Sequence, residues 1–551
     1  MIFSKRASIT DTVIRYAAWL FLAVLAVNIL FPDPREARSA ARTESAYASE
    51  NYEKSTAEAF AILSADPMDI RKNREYLIIY NKWKQKWRNS GIPLELIAKY
   101  EAMTASKETR ARDLGAFGVG FIYLLYKDYD AAIINLEKVS DKKMPFLNNA
   151  LGMAYYFKGN YEKSLDHDYK EIAANPDFKG AYQNLGITLH KTRNYSRLTE
   201  LLKEPKAAAN ISDGLKVYAA LHQKDYWNFI RYSIVNKHLR CGPAGLAGNL
   251  LLLYLWVCFI RRLDIFKPGK IVFVIVMLAL SMTAALFTSI GYDLMSYNGF
   301  ESGGEWKNDL LYCVFGIGLM EEAIKLLPFL IFLSFTHRID DTIDYITYPS
   351  LAGIGFAFIE NLTYFDDQSL ALILPRALTG GILHISLTVL AAYGLYAAKY
   401  KKKLKPVSGM FFYFSAAVIL HGLADFLIIA NGLPDFLSAA SILILLVCML
   451  FFAASAKTAI ESSKHFDAQK PRPLGGVVLF LIDSLFILAS AQYAVLGYKF
   501  GSSNANAFLT GSAPLIFFYI LIILQTVWII NIKISKDRKT MKLPEISELF
   551  K

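Results

Sequence analysis

Residues 316–332 read Gly316-Ile-Gly-Leu-Met-Glu321-Glu322-Ala-Ile-Lys325-Leu-Leu-Pro-Phe-Leu-Ile-Phe332, with three ionisable side chains inside a stretch otherwise apolar enough to cross a membrane. A charge near the bilayer centre costs about 2.5–3.5 kcal/mol on insertion-based scales, so such residues are rare without a role. Glu321 and Lys325 stand at i, i+4 and share one helix face, while Glu322 points about 100° away. Three more apolar stretches follow, carrying Glu360, His384 and His421, with Asp425 one turn beyond the last. Ionisable groups gathered on four successive spans read as a reaction centre within the membrane.

The rest of the 551-residue chain supports that frame. It is 54% hydrophobic, and the apolar residues concentrate near the start and after Gly242. The expected fold class is all-α: a polytopic helical membrane bundle of about ten transmembrane helices, with a soluble helical insert between spans one and two. The first span is the run Tyr16 to Phe31, read as an uncleaved anchor because small residues suited to cleavage appear only at 39–42. Nine further spans are expected near 242–260, 271–291, 310–335, 346–366, 370–398, 407–431, 436–456, 474–497 and 513–532, each long enough for a core of about 30 Å. The expected domains are an anchor (1–31), a repeat domain (32–240), a membrane core (241–460) and C-terminal helices with a basic tail (461–551).

The net charge of +12 sits in clusters that flank spans: Arg261-Arg262, Lys267 to Lys270, Lys399 to Lys405, Lys470 to Arg472 and Lys533 to Lys542. That is the positive-inside pattern, which assigns the excess to topology and not to nucleic acid. It puts those loops and the C-terminus in the cytoplasm. The acidic loop Asp293 to Asp309, Asp366-Asp367 and the insert then lie outside, although the 336–345 loop mixes His337 and Arg338 with three aspartates. The four cysteines lie in or beside spans, so no disulfide framework is expected for the insert.

Within the insert, Gly118, Gly152 and Gly186 recur every 34 residues, each followed by an aromatic-rich turn such as Asp128-Tyr129-Asp130, Asn160-Tyr161-Glu162 or Asn194-Tyr195. A further copy starts at Asn51-Tyr52 and ends at Pro67. That period is the one of tetratricopeptide helix pairs, in which small residues let paired helices approach while tyrosine and leucine fill the space between pairs. The insert thus resembles a tetratricopeptide solenoid, expected to bind a peptide or protein partner on its concave side.

The membrane residues suit acid–base chemistry. Two adjacent carboxylates in lipid cannot both stay charged cheaply, so Lys325 is expected to hold one ionised while the other titrates upward, giving a base and an acid partner. Glu360 can bind a metal, position water or accept a proton, and Asn361 can donate to an oxyanion. His421 and Asp425 form an i, i+4 pair in which the carboxylate fixes the ring tautomer. The plainer alternative is a salt bridge and interhelical hydrogen bonds that lock the bundle. Two histidines with three glutamates at comparable depths weigh against it.

The ordered set EExxK, FxxxEN, H and HxxxD resembles the PrsW family of intramembrane proteases, itself similar to the membrane-embedded CAAX prenyl endopeptidases, over roughly 240–460. The resemblance implies catalytic Glu321, Glu322, Glu360, His384 and His421, supported by Lys325, Asn361 and Asp425. It further implies cleavage of a membrane-anchored protein, such as an anti-sigma factor, in a bacterial cytoplasmic membrane. Water activated by Glu321 or Glu322 would attack the peptide bond. A divalent metal, zinc first, held by Glu360, His384 and His421 is one version. The metal-free version uses the glutamates as acid and base. Counting along the spans puts the site between the midplane and the outer leaflet. A proton- or ion-coupled transporter could use the same residues, though the spans show no duplicated halves; a non-catalytic receptor or scaffold is the third reading.

Overall fold

A computed structural model describes residues 9–31, 52–86, 91–336, 339–365, 372–401, 405–430, 433, 435–467, 474–512 and 515–530. His337-Arg338, Asp366-Asp367, Lys470 to Arg472, the tail from 531 and residues 32–51, all used in the topology and boundary readings, lie outside the described residues. Every element among the described residues is helical. The chain divides into two compact units, residues 32–237 and residues 1–31 with 238–551.

The N-terminal helix α1 (Ile9–Leu30) belongs to the membrane unit. In the other unit, α2 (Tyr52–Ala65), α3 (Ile70–Lys86) and α4 (Leu94–Thr104) precede a series of short helices. These are α5 (Thr109–Leu125) with α6 (Tyr129–Leu136), α7 (Leu147–Phe157) with α8 (Tyr161–Ala174), α9 (Lys179–Lys191) with α10 (Tyr195–Leu201), then α11 (Pro205–Asn210), and α12 (Asp213–His222) with α13 (Tyr226–Ile230). One turn joins each pair. A residue at positive φ (Lys127, Gly159, Arg193, Lys224) ends the first helix, and the next residue caps the second. The caps are Asp128, Asn160, Asn194 and Asp225, whose side chains accept from the amides of Ala131, Lys163, Arg197 and Asn228. Such a cap contributes about 1 kcal/mol, which offsets much of the left-handed residue's cost of about 1–2 kcal/mol. The periodic glycines Gly118, Gly152 and Gly186 fall on the first helix of three successive pairs.

In the membrane unit, helices among the described residues fall within each of the nine expected segments: α14 (Pro243–Leu263), α15 (Ile271–Tyr297), α16 (Trp306–Leu311) running through a π-helical stretch (Tyr312–Gly318) into α17 (Leu319–Phe335), α18 (Asp344–Tyr364), α19 (Ile373–Leu378), α20 (Gly380–Tyr396), α21 (Pro406–Ile429), α22 (Asp435–Glu461), α23 (Leu474–Phe500), a short α24 (Ser502–Gly511) and α25 (Leu515–Ile530). Among the described residues, six helices are both long and apolar enough to cross a bilayer: α14, α15, α19 joined to α20, α21, α22 and α23. This is a multi-pass membrane protein, though by those criteria with fewer spans than the ten expected. Two of the remaining helices, α17, of 17 residues, and α18, carry Glu321, Glu322, Lys325 and Glu360.

The core of the unit packs α18 and α20 among α14, α15, α17, α21 and α22. Two close approaches set the geometry of the site. A Cβ at Gly353 would meet the carbonyl oxygen of His384 at 2.8 Å, so α18 and α20 touch backbone to backbone. A Cβ at Gly422 would collide with Cα of Val314, which seats α21 against the π-helical stretch just before Glu321. Small residues at helix contacts are how membrane helices reach such distances.

Candidate active site

The α17–α21 approach delivers His421 to the glutamate pair. Nδ1 of His421 lies 2.7 Å from Oε1 of Glu322. A carboxylate only accepts, so Nδ1 donates to it, and Nε2 points to the other side of the ring. That side faces Oε2 of Glu321 at 3.6 Å and Oδ2 of Asp425 at 3.5 Å. The expected Asp425 contact exists, but Glu322 holds the ring more closely. The lysine also departs from expectation: Nζ of Lys325 donates to Oε2 of Glu321 at 3.0 Å and to Oε1 of Glu322 at 2.9 Å. Helix positions i, i+3 and i, i+4 are both neighbours, so one ammonium serves both carboxylates. Lys325 is wholly buried, and its Nζ also lies 4.3 Å from the centre of the Phe356 ring.

The α18–α20 approach builds the second half. Nε2 of His384 lies 2.7 Å from Oε2 of Glu360, and the rings of His384 and His421 stand nearly perpendicular with centroids 5.9 Å apart. All five expected catalytic side chains and the three supporting ones thus line one region of the bundle. Sequence reasoning missed three contributors. Tyr292 on α15 donates to Oε1 of Glu321 at 2.5 Å. Arg376 on α19 donates from Nη2 to Oε2 of Glu360 at 2.7 Å and from Nε to Oδ1 of Asn361 at 2.5 Å. Asn249 on α14 accepts from Nδ2 of Asn361 at 3.1 Å. Arg376 had a signal, a lone arginine inside a span; Tyr292 and Asn249 had almost none.

The metal question turns on which carboxylate joins the histidines. Among the described residues, Glu321, His384 and His421 each bring a ligating atom to within 4.8 Å of the others. Glu360, the carboxylate expected from sequence, instead holds Arg376 and His384. Two imidazoles and one carboxylate suit a divalent ion with an open position. Charge balance agrees: Glu321, Glu322, Glu360 and Asp425 converge with Lys325 and Arg376, an excess of carboxylates over cations that a divalent ion would neutralise. Oε2 of Glu322 and Nδ1 of His384 are buried without a hydrogen-bond partner among the described residues, leaving acceptor capacity inside the site.

Comparison with known proteins places this region. Residues 268–455 match the family model described as PrsW family intramembrane metalloprotease, and they include all eight expected site residues. A curated protein named Protease PrsW, from Clostridioides difficile (strain 630), is 32% identical over 141 residues, 24% of this chain and 58% of that protein. The chain therefore spans less than two thirds of the length of this relative. No solved structure matches. The segment that carries Glu321, Glu322, Glu360, His384 and His421 is thus similar to PrsW-family proteases.

Proposed function

We propose that this protein is an intramembrane endopeptidase that hydrolyses a peptide bond in a membrane-anchored protein. The observation that carries the reading is Glu322: one oxygen fixes His421, and the other is buried without a partner among the described residues. That second oxygen is the general base for water, with Lys325 balancing the negative charge of the pair. Glu321, His384 and His421 would hold a divalent metal, zinc by the chemistry of the set. In that place a metal supplies Lewis acidity toward a carbonyl or a water. Glu322 fixes the His421 tautomer, and Tyr292 with Lys325 orients Glu321. Arg376 and Asn361 lie on the Glu360 side, where a developing oxyanion gains most from fixed donors in a water-poor site.

The positive-inside pattern supports a cytoplasmic C-terminus and an external repeat domain, and the likeness to the Clostridioides difficile protein supports a bacterial cytoplasmic membrane. On this reading the helix pairs of residues 32–237 form a tetratricopeptide-like solenoid that recruits the substrate or a partner. The test is a catalogue of membrane-protein fragments from cells carrying the natural chain or Glu322→Gln at equal expression. Fragments specific to the natural chain are expected; identical catalogues would remove the case for a protease.

A further inference from the structure

The last helix of the repeat unit turns an apolar side outward. α13 continues through a π-helical stretch (Arg231–Asn236), and the helix ends at His238. One side of it is tied down: Phe229 and Ser233 are buried, and Nδ2 of Asn236 donates to Oδ2 of Asp213 on α12 at 2.9 Å. The other side carries Trp227, Ile230, Val235 and, just past the helix end, Leu239, with Tyr226 at its edge. All five are exposed, Trp227 and Leu239 by 77% and 76%. In an unbroken α-helix Val235 and Leu239 would stand about 80° and 120° around from Trp227. The wider turns of the π-helical stretch reduce that drift, and Val235 stays exposed while Ser233 is buried. Single exposed apolar residues need no explanation, but a contiguous apolar face marks an interaction surface.

Chain connectivity says what covers this face. Pro243 begins α14, an apolar helix long enough to cross the bilayer, so Leu239 can lie no farther than about 14 Å from the start of a span. On α14 itself Leu246, Leu250 and Tyr254 are exposed, and on a spanning helix such residues face acyl chains. Residues 224–240 also carry Lys224, Arg231, Lys237 and Arg240 against one acid, Asp225, a balance that suits anionic headgroups. Tryptophan and tyrosine, with an apolar body and a polar tip, are enriched at headgroup level. We propose that residues 226–240 lie in the bilayer interface. Trp227, Ile230, Val235 and Leu239 enter the headgroup layer, and the guanidinium groups of Arg231 and Arg240 meet lipid phosphates. An arginine stem can lie along apolar surface while its head stays at the phosphates, so Arg231 fits between Trp227 and Val235. The contact holds this helix at the lipid surface, independently of the peptidase reading.

The experiment places the full chain in nanodiscs of mixed phosphatidylcholine and phosphatidylglycerol. A nitroxide-bearing amino acid replaces Trp227, Val235 or Leu239 in turn, and Lys170, an exposed charge on α8, is the water-facing control. Power saturation in electron paramagnetic resonance compares collisions with oxygen, which concentrates in lipid, and with a water-soluble nickel chelate. Oxygen should dominate for the labels replacing Trp227, Val235 and Leu239, and nickel for the one replacing Lys170. Combining Trp227→Glu with Leu239→Glu, both at exposed sites, should shift the label at Val235 toward nickel in a chain that still folds. Nickel dominating at Trp227 and Leu239 would put the face in water. Shielding from both reagents would mean that a protein surface, a second copy or a partner, covers it. Either result overturns the proposal, as does an unmoved label at Val235 in the double variant. None of these readouts requires cleavage, so they stand apart from the test of the peptidase reading.

Discussion

Glu322 in the membrane unit and Asp168 in the repeat unit are both completely buried carboxyl groups, and their surroundings are opposite. Glu322 shares one oxygen with an ammonium and an imidazole, Lys325 and His421. Neither oxygen of Asp168 has a hydrogen-bond partner among the described residues, and burial, reinforced by nearby Glu171, raises its pKa to about 8. A buried charge is tolerable when paired and hydrogen-bonded; an unpaired acid keeps its proton instead. The lesson is that burial alone does not mark a functional carboxylate. The partners do, and in the membrane unit they form a connected set around two histidines.

The comparison breaks most visibly at the metal. Elemental analysis of the purified chain should find a divalent metal in the natural protein and none in Glu321→Gln. Glu360→Gln, which on the proposed reading alters a residue that touches the ligand His384 without binding the metal itself, should keep the metal with affinity lowered about 10–100-fold. The reverse result would restore Glu360 as the ligand that the sequence suggested. Next in size is Lys325→Met, which strands two glutamates without their cation. Removing one partner of a buried pair costs about 3–5 kcal/mol, so the melting temperature of the membrane unit should fall sharply and Lys325→Arg should recover part of the loss. No change on Lys325→Met would mean that the pairing does not stabilise the site.

The smallest effect sharpens the other side. The pKa of Asp168 is raised on folding, so its contribution to stability is fully present below about pH 4 and is lost as pH rises through about 8. Between pH 5 and pH 7 the repeat unit should lose about 3 kcal/mol, at 1.36 kcal/mol per pH unit. Asp168→Asn should flatten that decline when the melting of this unit is followed in the full chain. A decline of equal slope in the variant would assign the pH dependence to other groups.

Much of this was legible in the sequence because it depends on short-range spacing. Helix positions follow apolar runs, Lys325 reaches Glu321 at i, i+4, and the turn between helix pairs is written in the Asp or Asn caps. The 34-residue glycine period placed Gly118, Gly152 and Gly186 on equivalent helices. What the sequence withheld depends on helices distant along the chain. Tyr292 reaches Glu321 across 29 residues, and Asn249 reaches Asn361 across 112. Spacing along one helix has no access to such contacts. The same blindness hid how the carboxylates divide: Arg376, on a separate short helix, pairs with Glu360, while Glu321 brings an oxygen to within 4.8 Å of ligating atoms of both histidines.

Hydrolysis with Glu322 as base is tested most directly with isotopic water. A membrane-anchored protein whose fragment depends on the natural chain would be incubated with the purified enzyme in nanodiscs in ¹⁸O-enriched water. The account predicts one ¹⁸O atom in the new C-terminal carboxylate and loss of product with Glu322→Gln. Equal product from Glu322→Gln, or no product from the natural chain, would contradict it.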